Sequence, residues 1–171
     1  PDPDEDCNRT IRVEGLGGRI PEAGSPGQPL ELFVGNAGTA ARFVAAMVCL
    51  GRGSYRLSGI PRMHERPQAA LFASLRQLGY RIDTPNDCLP AVIHGTGPRA
   101  AQCEVSIEKS SQFASALLLC GWHSEWRVDI VGDNEEQSPY VRMTRELMAG
   151  FPRGGGVSRI ETDTSSGSYF R

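Results

Sequence analysis

No apolar run of about 18 or more residues occurs in this chain, and no excess of basic over acidic residues. A membrane span needs the first, and a general nucleic-acid or membrane-binding surface needs the second. The net charge is −2 and the pI near 6.0, so both classes are disfavoured. Metal-site spacing is lacking too: the five cysteines (Cys7, Cys49, Cys88, Cys103, Cys120) are scattered without a Cys-x-x-Cys pair, and His64, His94 and His123 are isolated from one another. The cysteines read as reduced thiols of a cytoplasmic protein, with Cys49 and Cys120 on apolar helix faces as core residues. No metal or cofactor is implied. What remains, 39% apolar and 22% charged residues in a chain of 171, is material for one packed domain or two small ones.

Both ends look cut. The first residue is Pro1, and Thr164-Ser165-Ser166-Gly167 reads as a helix cap with its helix missing, so the chain is expected to be a piece of a longer polypeptide. Between them, strand-like and helix-like runs alternate under Gly and Pro punctuation. The pattern predicts strands at Ile11 to Glu14, Leu30 to Val34, Tyr55 to Ser58, Arg81 to Asp83, Ala91 to His94, Cys103 to Ile107 and Val128 to Val131. Helices are expected at Ala40 to Leu50, Pro67 to Leu78 with Pro67 in the first helical position, Phe113 to Leu119 and Pro139 to Met148. The order repeats at an offset of about seventy positions, aligning Phe43 with Phe113, Arg56 with Arg127 and Pro67 with Pro139. That spacing suggests a duplicated βαβαββ module whose two helix-opening turns face a common cleft.

Four segments carry candidate chemistry. Phe33-Val34-Gly35-Asn36-Ala37-Gly38-Thr39-Ala40-Ala41-Arg42 runs from a strand through a small-residue turn into a helix, a form suited to an anion at the helix N-terminus, with Thr39 placed to cap it and Arg42 adding charge. The same turn also reads as ordinary helix capping. In Gly59-Ile60-Pro61-Arg62-Met63-His64-Glu65-Arg66-Pro67, two arginines sit in a proline-stiffened loop, either to bind phosphate or carboxylate bidentately or to pair with Glu65, and Arg62 reads equally as structural. Lys109-Ser110-Ser111-Gln112 offers hydroxyls and an amide to a phosphate or a polyhydroxylated ring, or else a plain cap from Ser110 or Ser111. Gln137-Ser138-Pro139-Tyr140 fills the matching loop of the second module.

Taken together, these motifs resemble the enolpyruvyl transferase family, and within it the branch acting on shikimate 3-phosphate, from about Ile11 to Phe170. The resemblance implies a mixed α/β (α+β) fold: two lobes, each of three βαβαββ units about an approximate threefold axis, closing over substrates. Residues 1–162 would form most of one lobe with its first unit incomplete, and 163–171 the start of the crossover to the other. It further implies phosphoenolpyruvate contacts at Gly38 and Arg66, and contact with both substrates at Gln112. Shikimate 3-phosphate would meet Ser110 and Ser111, with Tyr140 beside its ring and Thr39 and Arg42 supporting the turn. The family more often has Ser, one further residue, then Pro-Tyr, so its phosphate-binding serine is shifted here, with Ser138 as a substitute. Proton-transferring residues would belong to the second lobe, leaving no catalytic residue in this chain and no turnover without that lobe. The implied partners are the two substrates and the second lobe, with no cofactor, nucleic acid or membrane, and a monomer at full length. Two rival readings are the related transferase acting on a UDP-sugar, which expects a reactive cysteine in a Gly-rich loop, and a non-enzymatic βαβαββ module binding RNA or protein.

Overall fold

The computed structural model describes residues 12–20, 22–132, 138–151 and 156–157. The chain forms β1 (Leu30–Phe33), α1 (Gly38–Val48), β2 (Arg52–Ser58), α2 (Pro61–His64), α3 (Ala69–Gln77), β3 (Arg81–Asp83) and β4 (Ala91–Thr96). A second run follows: β5 (Ala101–Ser106), α4 (Gln112–Ser124), β6 (Trp126–Val131) and α5 (Ser138–Gly150). The first run builds a four-stranded sheet in the order β1-β2-β4-β3, and the second a two-stranded sheet, β5-β6. In each, the opening strands are parallel and joined by a helix, as a βαβ crossover requires. Leu30 aligns with Tyr55 and Ala101 with Trp126, the same separation along the chain in both units. The duplication is therefore a structural one. In the first unit β4 turns back antiparallel on β2, and β3 antiparallel on β4.

The core follows from periodicity. In α1, Gly38, Ala41, Arg42, Ala45, Ala46 and Val48 are buried, the i, i+3/4, i+7/8 stripe of an amphipathic helix. Its small residues let it pack closely on α4, whose Phe113 to Leu117 are buried throughout. In α3, Leu71, Phe72 and Leu75 are fully buried, each worth about 1.5–3 kcal/mol relative to exposure.

The two units are tied by side chains of α3 on β5. Ser74, fully buried, donates from Oγ to the Glu104 carbonyl at 2.6 Å, and the Glu104 N–H donates to Gln77 Oε1 at 2.8 Å. A Ser54–His94–Asp83 hydrogen-bond chain crosses β2, β4 and β3, with Ser54 Oγ 3.0 Å from His94 Nδ1 and His94 Nε2 2.9 Å from Asp83 Oδ2. It mimics a hydrolytic triad, but Ser54 is 1% exposed and unreachable as a nucleophile, so the chain is structural.

Three expectations are corrected. Of the expected strand Ile11 to Glu14, Ile11 lies outside the described residues, and residues 12–14 form no strand and pair with none of the described residues; among neighbouring loop residues only single bridges are described, as from Gly24 to Ser54. Pro67 does not open a helix: the expected helix begins at Ala69, as α3, preceded by Gln68, and a short helix that was not expected, α2, stands before it with Pro61 in its first turn. Thr39 does not cap α1, which begins two residues earlier than expected, at Gly38, with Ala37 in the cap position and no side-chain cap bond. Its hydroxyl is engaged elsewhere.

Candidate functional site: an anion-binding turn beside a hydroxyl-lined cleft

The turn after β1 is shaped by backbone. Gly35 takes φ +57°. Glycine enters this left-handed region without strain. The Gly35 carbonyl accepts the Ile60 N–H at 3.0 Å, pinning the turn to the loop that leads into α2. Gly38 then opens α1, an 11-residue helix whose N-terminal N–H groups point outward. A Cβ on Gly38 would stand 2.5 Å from Arg66 Nη1 and 2.6 Å from Arg42 Nη1, so both guanidinium groups lie against this glycine. Glycine is required here for space.

Arg66 is half-buried and donates from Nη1 to the Asn36 carbonyl at 3.3 Å. Arg42 is only 3% exposed; it donates from Nη1 to Gln112 Oε1 at 2.9 Å and from Nη2 to the Pro67 carbonyl at 3.3 Å, with Cζ 5.4 Å from the Phe113 ring centroid. Burial, and then the charge of Arg66, lower the pKa of Arg42, although a guanidinium stays protonated in water at any working pH. Among the described residues neither arginine is ion-paired, whereas Arg62 pairs with Glu65 at 2.6 Å. The loop's two arginines thus divide: Arg62 is structural, Arg66 is available. Two cations without acidic partners at a helix N-terminus have the chemistry to hold an anion.

The third motif adjoins it. Gln112 is the first residue of α4, and its Nε2 donates to Thr39 Oγ1 at 3.0 Å. Ser110 Oγ accepts the Gln112 N–H at 3.2 Å, and Ser111 occupies the cap position without a side-chain cap bond. A cleft of about 400 Å³ is lined by Thr39, Phe43, Ser110, Ser111, Gln112, Ser115, Tyr140, Met143 and Thr144. Tyr140 is 56% exposed at its rim, and a Ser115–Thr144 hydroxyl pair at 2.8 Å ties α4 to α5. Ser138 lies apart from this cleft. It lines a neighbouring groove of about 550 Å³ with Val128, Ile130 and Arg145, while Gln137 lies outside the described residues.

Sequence reasoning missed Arg42's bond to Gln112 and the lining by Ser115 and Thr144. One signal for the first was present, because aligning Phe43 with Phe113 makes Arg42 and Gln112 equivalent positions, and equivalent positions meet only near the axis relating two repeats. For Ser115 and Thr144, inside apolar helix stripes, there was no local signal.

The paired units give the chain the mixed α/β fold of the enolpyruvyl transferases. Residues 3–170 match the family described as EPSP synthase (3-phosphoshikimate 1-carboxyvinyltransferase), and the chain belongs to that family. The 3-phosphoshikimate 1-carboxyvinyltransferase of Vibrio cholerae serotype O1 (strain M66-2) is 39% identical over 184 residues, covering 94% of this chain and 42% of its own length. That of Trichormus variabilis is 39% identical over 157 residues, covering 90% of this chain and 34% of its own. A solved EPSP synthase from Acinetobacter baumannii superposes with a TM-score of 0.57 at 24% identity, over 69% of this chain and 27% of that one. The chain thus spans about two fifths of the length of such relatives.

Three of the thiols, Cys49, Cys103 and Cys120, are poor nucleophiles. Burial pushes Cys103 to about 11, Cys120 to about 12 and Cys49 well up, so these sulfurs stay protonated. Among the described residues no cluster suited to a metal ion is found, and no helix is long and apolar enough to cross a membrane.

Proposed function

We propose that this chain is the shikimate-binding lobe, residues 1–162 with a crossover from 163, of an enzyme that moves an enolpyruvyl group from phosphoenolpyruvate to the 5-hydroxyl of shikimate 3-phosphate in the cytoplasm. The observation that carries it is the convergence of Arg42 and Arg66, both without acidic partners among the described residues, on Gly38 beside a cleft of hydroxyls and one amide. Phosphoenolpyruvate lies against Gly38 and Arg66. Shikimate 3-phosphate occupies the cleft, its phosphate near Ser110 and Ser111 and its ring beside Tyr140, with Gln112 between the two ligands. Thr39 and Arg42 hold the turn. Ser138 is the weakest member of the set, because it opens on the neighbouring groove.

The addition and elimination steps build charge beside groups already anionic. Fixed guanidinium groups and helix N–H groups stabilise that charge without reorganising, which is the largest contribution such a wall can make. Proton transfer needs a carboxylate or lysine at the reacting carbon and oxygen, and water must be excluded. Both come from the second lobe when it closes, in a full-length monomer.

Saturable binding of shikimate 3-phosphate to the isolated chain, by calorimetry, with no phosphate released on adding phosphoenolpyruvate, is the expected result. Failure to bind it, or turnover at a normal enzymatic rate, refutes the reading. The buried thiols disfavour the UDP-sugar branch, and the near-neutral charge disfavours RNA contact.

A further inference from the structure

Three hydrogen-bonding side chains from the two units stand head to tail at the mouth of the cleft. The guanidinium of Arg42 carries donors and no acceptor, so it meets only the oxygen end of the Gln112 amide. A flipped amide would set donor against donor at 2.9 Å, so Arg42 decides which way Gln112 faces. The NH2 end is thereby turned to Thr39 and donates to Oγ1. With Oγ1 accepting, the hydroxyl proton of Thr39 points away from Gln112, and among the described residues no acceptor takes it. Thr39 is exposed and lines the cleft.

We propose that Arg42, Gln112 and Thr39 form a directed donor chain, in which Arg42 and Gln112 are positioning residues and the Thr39 hydroxyl is a specificity-determining donor to an anionic oxygen of the bound ligand. The anchoring of Arg42 supports this. It is buried, bonded to the Pro67 carbonyl and stacked on Phe113, so it has no freedom to release the amide. Its partner is neutral, so the positive charge is not cancelled locally and polarises each following bond in one direction. A carboxylate at 112 would do the reverse: it would neutralise Arg42, accept the proton of Thr39, and turn a lone pair of that hydroxyl toward the ligand. Glutamine is thus the residue that keeps the chain running outward.

The inference rests on the proposed function for the ligand's identity, but the direction of the chain is measurable without any ligand. In nitrogen-labelled protein, the two side-chain N–H signals of Gln112 are expected to be widely separated and slow to exchange. Thr39→Val should collapse that protection, and Thr39→Ser, which keeps the hydroxyl, should restore it. Binding of shikimate 3-phosphate should weaken about tenfold in Thr39→Val, recover to within about twofold in Thr39→Ser, and weaken about a hundredfold or more in Gln112→Glu. Unchanged Gln112 side-chain signals in Thr39→Val overturn the chain, and unchanged binding by that variant overturns the donor role. If the wild-type chain binds no shikimate 3-phosphate, the proposed function fails, while the amide signals still decide the direction of the hydrogen bonds.

Discussion

At Gly38 a single missing methyl group makes room for two guanidinium groups. Gly38→Ala raises the helix propensity of α1, since alanine is the better helix former by about 1 kcal/mol. Its methyl group would also displace Arg66 and crowd Arg42, which its bonds to Gln112 and Pro67 hold in the interior. The expected outcome is a Tm no higher than that of the wild type, since crowding of buried Arg42 offsets the gain in helix propensity, together with roughly tenfold weaker binding of phosphoenolpyruvate, measured by calorimetry with shikimate 3-phosphate present. Asp83 supplies a pH dependence. Its carboxyl is held below the usual value by the hydrogen bond from Arg81 and then that from His94. A depressed carboxylate contributes stability that is present above the unfolded pKa of about 3.9 and is lost as pH falls through the folded value. Urea midpoints between pH 5 and 3 should therefore fall less steeply in Asp83→Asn than in the wild type. The site's residue types were legible because an anion turn needs glycines, a helix start and arginines in sequence order. Thr39 was misjudged as a cap because its partner, Gln112, comes from the other unit, and a local capping rule contains no term for it.

Among the elements, α4 ends on a strained residue. Its cap, Glu125, is held at φ 59° and ψ 34°, in the left-handed region. That conformation costs a side-chain-bearing residue about 1–2 kcal/mol. Glu125→Gly should raise stability by about 0.5–1 kcal/mol in thermal unfolding, because the residue is exposed and only the backbone is relieved. A glycine there would have announced the helix end, and its absence is why the sequence places that end at Leu119 while the helix runs to Ser124. Strands were legible where β-branched and apolar residues alternate between turns, as at Ala91 to His94 and Val128 to Val131, although each observed strand is two residues longer. Ile11 to Glu14 has the same look, but residues 12–14 find no pairing partner among the described residues, and alternation alone does not make a strand. That α2 and α3 are separate helices, with Pro67 in neither, has a plain cause. Proline in the interior of a longer helix would lose one hydrogen bond and clash with the preceding turn, so the chain bends at Arg66-Pro67 and carries Arg66 to Gly38.

For the whole molecule, repetition was the most informative signal. The offset found from a few aligned aromatic, arginine and proline positions corresponds to two βαβ crossovers of identical strand separation. What the pattern did not contain was how the units join, since Ser74 and Gln77 lie in a helix and read as surface polar residues. They seal the free side of β5: one hydroxyl covers a carbonyl and one amide covers an N–H that would otherwise face outward bare. Excising residues 1–97 should therefore liberate no tidy half-protein. It would uncover a ready template for intermolecular strand addition. Such a fragment is expected to sediment as β-rich aggregate, with thioflavin fluorescence as the readout, whereas the intact chain stays dispersed. Ancestral doubling, if it made this lobe, has left a product whose halves no longer part cleanly.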